Sequence, residues 1–466
     1  MLRPAQEKEG FRSMKALSIS VPGLVLVGLM LSGRLWGLPA QAAEAAPSVL
    51  TLEEAIRIGT DNNRQLKIAH LEVNKAHDGV GEAKSYALPQ LSAYGLAGIP
   101  PAAVNFRVPA GQFGNFPSTG PIPPTDTDIR TPQRLSGVVY VSVTQPLTQL
   151  FKVRIGVQKA RLGLDLASES VREHRQETVR EIREAYYQFA QAQSQVESAS
   201  ATVAHLTELA KIVDQRLAQK TVLLSDSLAV KAKLKQADYR RLMLENSSEL
   251  ARQNLNLLLG RDLSTPFTVD LQPPPESSEI DLVQAKQAAI AQRAELREAR
   301  LATKIAEKSA RLEKADYFPE ISLQASYLSF QNINFLPTSI GELGLLFHWQ
   351  PFDWGLKHHQ RASLLETAKQ KRLTEQDAEQ QILLDVEQKY RMLGAARALV
   401  EAQSYAQQAE REKLQELTQR YQHEAALLVD LLQQQSAVAQ ADAQYQQALA
   451  GFWTAKANLQ RAMGAD

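Results

Sequence analysis

The sequence predicts a mainly α-helical chain with a small β part: an internal duplication of long antiparallel coiled-coil helices, with four transmembrane β-strands per chain. Three observations carry this reading. Between Ile182 and Leu217 every seventh residue is apolar (Ile182, Phe189, Val196, Val203, Ala210, Leu217), and a second series, Ala185, Ala192, Ala199, Leu206 and Val213, follows three places after each of the first five. Two unbroken series at a and d spacing over about five heptads specify a helix packed along one seam. The same organisation returns near the C-terminus at a constant offset. Four alternating segments of about ten residues have the length of tilted outer-membrane strands.

Composition narrows the function. With 466 residues and a net charge of +1, the chain has no electrostatic reason to bind nucleic acid. It has no cysteine, which excludes disulfides, thiolate metal sites, a cysteine nucleophile and a lipidated cysteine anchor. At the N-terminus, Arg3, Lys8, Arg12 and Lys15 precede the apolar run 16–32, and Ala40-Gln41-Ala42 supplies small residues for cleavage. That order predicts a signal peptide over residues 1–42, with Met14-Lys15 as an alternative start, and therefore export. Beyond it no run of about 18 apolar residues remains to form a spanning helix.

The first structural repeat is read over 43–270. Thr51 followed by Glu54 has capping-box spacing, so a helix is expected from there to about Ala87, stopped by Leu88-Pro89. A strand over 90–99 places Leu91, Ala93 and Gly95 on one face and Ser92 and Tyr94 on the other. Residues 100–135, rich in Pro, Gly, Asn and Thr, are expected to form a long loop. A second strand alternates around Val139, Val141 and Val143 and ends at Gln145-Pro146. From about 152 to 219 the chain should be one helix of roughly 100 Å at 1.5 Å per residue. The heptad phase is lost over 220–225 and restarts with Val230, Ala237, Leu244, Ala251 and Leu258, so a reversal joins two antiparallel helices, the second closed by Gly260.

A linker follows at 271–280, around Pro273-Pro274-Pro275, and then the second repeat, 281–466. An offset of 204 residues relates Arg216 to Arg420 and Gly260 to Gly464, and Gln145-Pro146 matches Gln350-Pro351 at an offset of 205. Phe318-Pro319 answers Leu88-Pro89. The heptads recur as Val386, Leu393, Val400, Gln407, Leu414 and Tyr421, then Leu431, Val438, Tyr445, Phe452 and Leu459. Each half reads helix, strand, loop, strand, long helix, reversal, long helix.

Aromatics near the strand ends, Tyr140 in the first half and Trp349, Phe352 and Trp354 in the second, read as a membrane-interface girdle or, alternatively, as a core beneath the sheet. Four strands do not close a barrel, and an open edge cannot sit in lipid, so several copies must share one.

The opening at Leu50–Ala55, the duplication, the two X-Pro stops, the two Gln-Pro turns and the two reversals together resemble TolC-type outer-membrane efflux proteins over nearly all of the mature chain. The resemblance implies a homotrimer with a 12-stranded β-barrel in the cell outer membrane, in contact with outer-membrane lipid, and a long periplasmic α-barrel. It also implies a periplasmic adaptor and an inner-membrane pump as partners, with no cofactor and no enzymatic activity. The reversals then correspond to periplasmic tips. Lys220, Val222, Leu223 and Leu224 in the first, and Glu424, Ala426, Leu427 and Leu428 in the second, would dock the adaptor. Lys220 and Glu424 stand where the family pattern has Gly, and Leu223 and Leu427 where it has Ser or Thr.

Asp226 and Asp430 match the pattern's Asp, and with Gln433 they are the periplasmic gate residues that the resemblance implies. Asp430 resembles an acidic position that rings the periplasmic entrance in some members, with Gln433 at a second such position; a carboxylate ring there would set a cation-favouring constriction. Both aspartates also stand where helix N-caps favour Asp. An arginine latch of some members corresponds to Ala426. His358-His359 is not a metal pair, because adjacent helical residues point apart. The leading function is a passive exit duct of a tripartite efflux pump or type I secretion system. The alternative is a structural or adhesive coiled-coil envelope protein.

Overall fold

The computed structural model describes residues 48–99, 101–103, 105–130, 133–270, 280–333, 336–423 and 425–465. The expected signal peptide, most of the expected linker and Glu424 lie outside them. In chain order the elements are β1 (Ser48–Val49), α1 (Leu52–Asn62), α2 (Arg64–Ser85), β2 (Gln90–Gly98), β3 (Asn105–Val108), β4 (Asn115–Phe116), β5 (Gly120–Pro121), β6 (Thr127–Arg130) and β7 (Ser136–Pro146). Then come α3 (Leu150–Ala218), α4 (Leu224–Leu258), β8 (Phe267–Thr268), α5 (Leu282–Gln292), α6 (Ala294–Ala315), β9 (Glu320–Gln331), β10 (Ser339–His348), α7 (Leu356–Gln422) and α8 (Leu428–Ala462).

The two longest helices organise a single-layer wall. α3, with 69 residues, is about 100 Å long. Its first half packs against α2 and α6, and its second half against α4 and α8. Lys308 reaching Gln158 at 2.6 Å and Ser198 reaching Asp442 at 3.2 Å mark the two halves. α7 repeats the arrangement with α6 above and α8 below. The heptad residues lie on these seams. Ile182, Phe189, Leu206 and Val213 are buried in α3, as are Val386, Val400 and Tyr421 in α7, and Leu431, Phe452 and Leu459 in α8. The alanine series Ala441, Ala448 and Ala462 is buried too, which lets the neighbouring backbones approach.

The short elements gather midway along the wall, on one of its faces. β1 pairs in parallel with β8, and Tyr186, Phe189 and Gln193 of α3 hold them: the Tyr186 hydroxyl donates to the Leu50 carbonyl at 3.0 Å, and Phe189 meets Phe267 edge-on at 5.0 Å.

The helix expected as one piece from Thr51 is two. Thr51 caps α1 as predicted, accepting from the Glu54 N–H at 3.2 Å. The break comes at Asn63, which leaves the helical region (ψ 127°) and caps α2 with its own side chain, accepting from the Gln65 and Leu66 N–H groups at 2.8 and 3.2 Å. Arg293 makes the same break between α5 and α6. Each break receives the end of a long helix. Gly260 and Gly464 close α4 and α8 in the left-handed region (φ 67° and 80°), and a Cβ on them would come within 2.8 Å of the Asn62 carbonyl and 2.9 Å of the Arg293 nitrogen. Glycine is required there twice over, by conformation and by space.

The 100–135 segment is not a featureless loop among its described residues. β3 pairs with β6 and β4 with β5, and Arg107 bridges to Asp126 at 2.9 Å. Strands of two to four residues are too short to leave a period in the sequence.

Candidate channel elements

The four long strands form one antiparallel sheet in the order β10-β9-β7-β2, with β2 and β10 as open edges. Registers sort the side chains into two faces. One row sets Leu91 beside Val143, Ala325 and Leu343, and the next sets Ala93 beside Val141 and Tyr327. The row between them, on the other face, sets Ser92 beside Ser142, Ser326 and Glu342, with the two serine hydroxyls 2.9 Å apart for Ser92 and Ser142. One face is therefore apolar and the other mixed, as a wall between lipid and water requires.

Tyr140 does not belong to a girdle at the strand end. It lies inside β7, between Tyr94 and Leu328, on the face that carries the polar side chains, and its hydroxyl accepts from the Gln324 amide at 3.0 Å. The two-residue period of the strand determines this, since the lipid face is taken by Val139, Val141 and Val143.

Trp349, Phe352 and Trp354 lie between β10 and α7, at the sheet-to-helix boundary. Trp349 donates its indole N–H to the Tyr317 carbonyl at 3.3 Å, and the Phe352 and Trp354 rings lie 4.9 Å apart. Trp354 is 89% exposed and sits in a turn of two left-handed residues, Trp354 and Gly355 (φ 56° and 86°). Asp353 secures that turn by accepting from the Gly355 and Lys357 N–H groups, both at 3.1 Å. Tyr86, Leu88 and Phe318 are exposed at the same boundary.

At the opposite end, the reversal after α3 has Schellman geometry. The Thr221 N–H donates to the Arg216 carbonyl at 3.0 Å and the Lys220 N–H to Leu217 at 2.9 Å. Lys220 occupies the left-handed position (φ 58°), where the family pattern has Gly, so the turn survives the substitution at a conformational cost. After α7 the Ala425 N–H reaches the Arg420 carbonyl at 2.8 Å, the equivalent bond.

The tips lie side by side. Val222, Ala426 and Leu428 pack against a shared cluster of Leu206, Val213, Val230, Tyr421 and Leu431, and the Arg216 guanidinium lies 5.1 Å from the Tyr421 ring centre. Leu223 and Leu427 are each 70% exposed, and Leu224 is exposed as well. Asp226 acts as a cap, its carboxylate accepting from the Leu223 N–H at 3.2 Å. Just behind it, hydrogen bonds from Ser227 and Lys231 hold the Asp214 carboxyl below its usual range. Asp430 and Gln433, three residues apart on α8, are both exposed.

Two features have no counterpart in the sequence reading: a basic groove between α3 and α6 beneath the sheet, and a carboxylate cluster around Glu298 lower on the same helix pair. Among the described residues no group of three or more His, Asp and Glu side chains could hold a metal, and no helix is long and apolar enough to cross a membrane.

A duplicated helical wall carrying a two-faced sheet with open edges defines a channel protein, and the comparisons agree. Residues 57–261 and 285–465 match the outer membrane efflux protein family, and the chain belongs to that family. No curated protein matches it in sequence. Among solved structures, it resembles the Campylobacter jejuni CmeC outer membrane channel (14% identity, TM-score 0.72, covering 95% of this chain and 94% of that one). It also resembles the Vibrio cholerae outer membrane protein VceC (17%, TM-score 0.69, 89% and 96%). The open-state Neisseria gonorrhoeae MtrE channel is similar too (18%, TM-score 0.66, 89% of each). The protein is an outer-membrane exit duct whose helical part extends into the periplasm.

Proposed function

We propose that this duct is a homotrimer serving as the outer-membrane component of a tripartite efflux pump or type I secretion system, a passive conduit gated at its tips. The observation that supports it best is the four-stranded sheet with two open edges above a helical wall of about 100 Å. Lipid does not tolerate an open edge. Two copies would close at about eight strands, whose interior is filled by side chains. Three copies close at 12 strands and leave a bore. The apolar face then meets lipid, and the face with Ser92, Ser142 and Glu342 lines water.

The tips suit docking because Leu223, Leu224 and Leu427 expose apolar surface there, and a periplasmic adaptor with apolar groove residues would cover it. Lys220 and Glu424 would tune that contact by charge. An inner-membrane pump supplies the energy, so the duct itself needs no catalytic group. Asp430, exposed on the first turn of α8 beside Gln433, repeats by symmetry into a carboxylate ring at the periplasmic mouth, whereas Asp226 serves the turn. Single-channel recording tests this. Asp430→Ala should lower cation selectivity and change conductance, whereas Asp226→Ala should leave selectivity unchanged. A purified protein that forms soluble rods without conductance would remove the duct reading altogether.

A further inference from the structure

Immediately beneath the sheet, a cavity of about 950 Å³ opens between the start of α3 and the end of α6. Its walls follow helical spacing: Phe151, Arg154 and Ile155 on one side, and Arg311, Lys314 and Phe318 on the other. Lys152 and Lys308 complete a set of five cations against a single carboxylate, Glu320, in the lining. Two of the five are engaged. Lys152 is paired with Asp316 and with Glu320, and Lys308 donates to the Gln158 amide at 2.6 Å. Arg154, Arg311 and Lys314 make no ion pair with a carboxylate among the described residues. Three guanidinium or ammonium groups facing one groove repel each other, and an anion between them removes that repulsion.

Depth and polarity order the cavity. Phe151 and Phe318, each 60% exposed, lie at the sheet end, level with the boundary marked by Trp349 and Phe352, and Arg154, Lys314 and Arg311 lie about one to two helical turns farther from the sheet. A turn is about 5.4 Å. The interfacial zone of a bilayer is about 5–8 Å deep on each side of the hydrocarbon. Apolar groups therefore sit at acyl depth and cations at headgroup depth.

The groove also opens on the outer face of the wall. Arg154 and Arg161 continue, at seven-residue intervals, the line of α3 that reaches Ile182 and Phe189, the residues packed under α1 and β8. On α6, Arg297 of the same stripe donates to the Ala291 carbonyl of α5 at 2.7 Å. The short elements crowd this face, so a bore must lie on the other. Because α3 and α6 are the two central columns of the upper wall, flanked by α2 and α7, the groove is away from the edges where copies of the chain meet.

We propose that this groove binds an anionic glycerophospholipid of the periplasmic leaflet, its phosphate held by Arg154, Arg311 and Lys314 and its acyl chains against Phe151 and Phe318. Basic pockets between helices at a membrane surface recognise anionic headgroups in this way. The site rests on the outer-membrane placement of the sheet and not on gating or pump partnership.

Native mass spectrometry of the full-length oligomer in detergent tests it, with dimyristoyl phosphatidylglycerol and phosphatidylcholine as probes. Phosphatidylglycerol should bind at least about tenfold more tightly. The variant Arg154→Gln/Arg311→Gln/Lys314→Gln should lose that preference, while Lys211→Gln/Lys233→Gln/Lys235→Gln, a matched charge removal near the tips, should keep it. Excess inorganic phosphate at constant ionic strength should leave phosphatidylglycerol bound. Equal binding of the two lipids, a preference that survives the groove variant, or displacement by phosphate alone would overturn the assignment. Unchanged conductance of the groove variant separates this site from the duct's transport role.

Discussion

Glu298 offers a quantitative test of the wall's electrostatics. It sits on α6 facing α3, where burial, then the nearby Glu173 and Glu295 carboxylates, with Glu169 a lesser contributor, push its carboxyl from an ordinary 4.5 to about 7. One of its oxygens is buried with no hydrogen-bond partner. The surrounding cations are committed elsewhere: Arg297 and Arg172 to Glu169, and Arg293 and Arg461 to Glu295. A raised carboxyl pKa means that the folded state binds more protons than the unfolded chain between about pH 4.5 and 7. Stability therefore falls as pH rises through that window and levels off above it. At about 1.36 kcal/mol per pH unit the ceiling is about 3 kcal/mol, and partial solvent access reduces it to about 1–2. Glu298→Gln removes the charge and keeps the shape. At about 2.1 cal/mol/K per residue, the unfolding entropy of this chain makes 1 kcal/mol equivalent to about 1 °C. Thermal unfolding in detergent should show Glu298→Gln melting about 1–2 °C above wild type at pH 8 and together with it at pH 5. An equal offset at both pH values, or a lower melting temperature at pH 8, would refute the linkage.

Four further outcomes follow from backbone and packing. Lys220→Gly should stabilise the first tip by about 1 kcal/mol, read as a raised melting temperature, because it removes a side chain from the left-handed position (φ 58°). Gly260→Ala should destabilise by more than about 1 kcal/mol, since the new Cβ meets the Asn62 carbonyl at 2.8 Å in a residue with φ 67°; recovery of wild-type denaturant midpoints would contradict this. Ile182→Ala should cost about 2–5 kcal/mol at a fully buried position. Gly59→Ala directs its Cβ into the Ile182 Cδ1, so the double variant should lose less than the sum of the singles, as a double-mutant cycle measures.

The long-range organisation was legible because it is periodic. The heptads of α3 and the 204-residue offset between Gly260 and Gly464 survive in one sequence, since a helix that packs along its whole length must repeat its apolar residues. Features made by a single residue or by two distant segments were not. Asn63 interrupts a helical pattern that continues in phase on either side, and only its capping side chain signals the break. Tyr140 is aromatic like the boundary residues, but its parity in β7 puts it on the face of Ser142, within the strand. The α3–α6 groove joins Arg154 to Arg311, and the carboxylate cluster joins Glu173 to Glu298; in one dimension each half resembles an ordinary solvated helix face.

The junctions at Asn63 and Arg293 carry a mechanical consequence. Per chain, two columns of the wall, α3 and α7, are unbroken, while the other two are jointed, with α2 above α4 and α6 above α8. A continuous helix resists bending because every turn is hydrogen-bonded to the next. A joint lacks that ladder and is held by packing and by contacts such as those of Gly260 and Gly464 with the neighbouring backbone and of Arg461 with Glu295. Any bending of the wall would therefore concentrate at these two junctions, like shutters hung between fixed posts, rather than spread along α3 and α7.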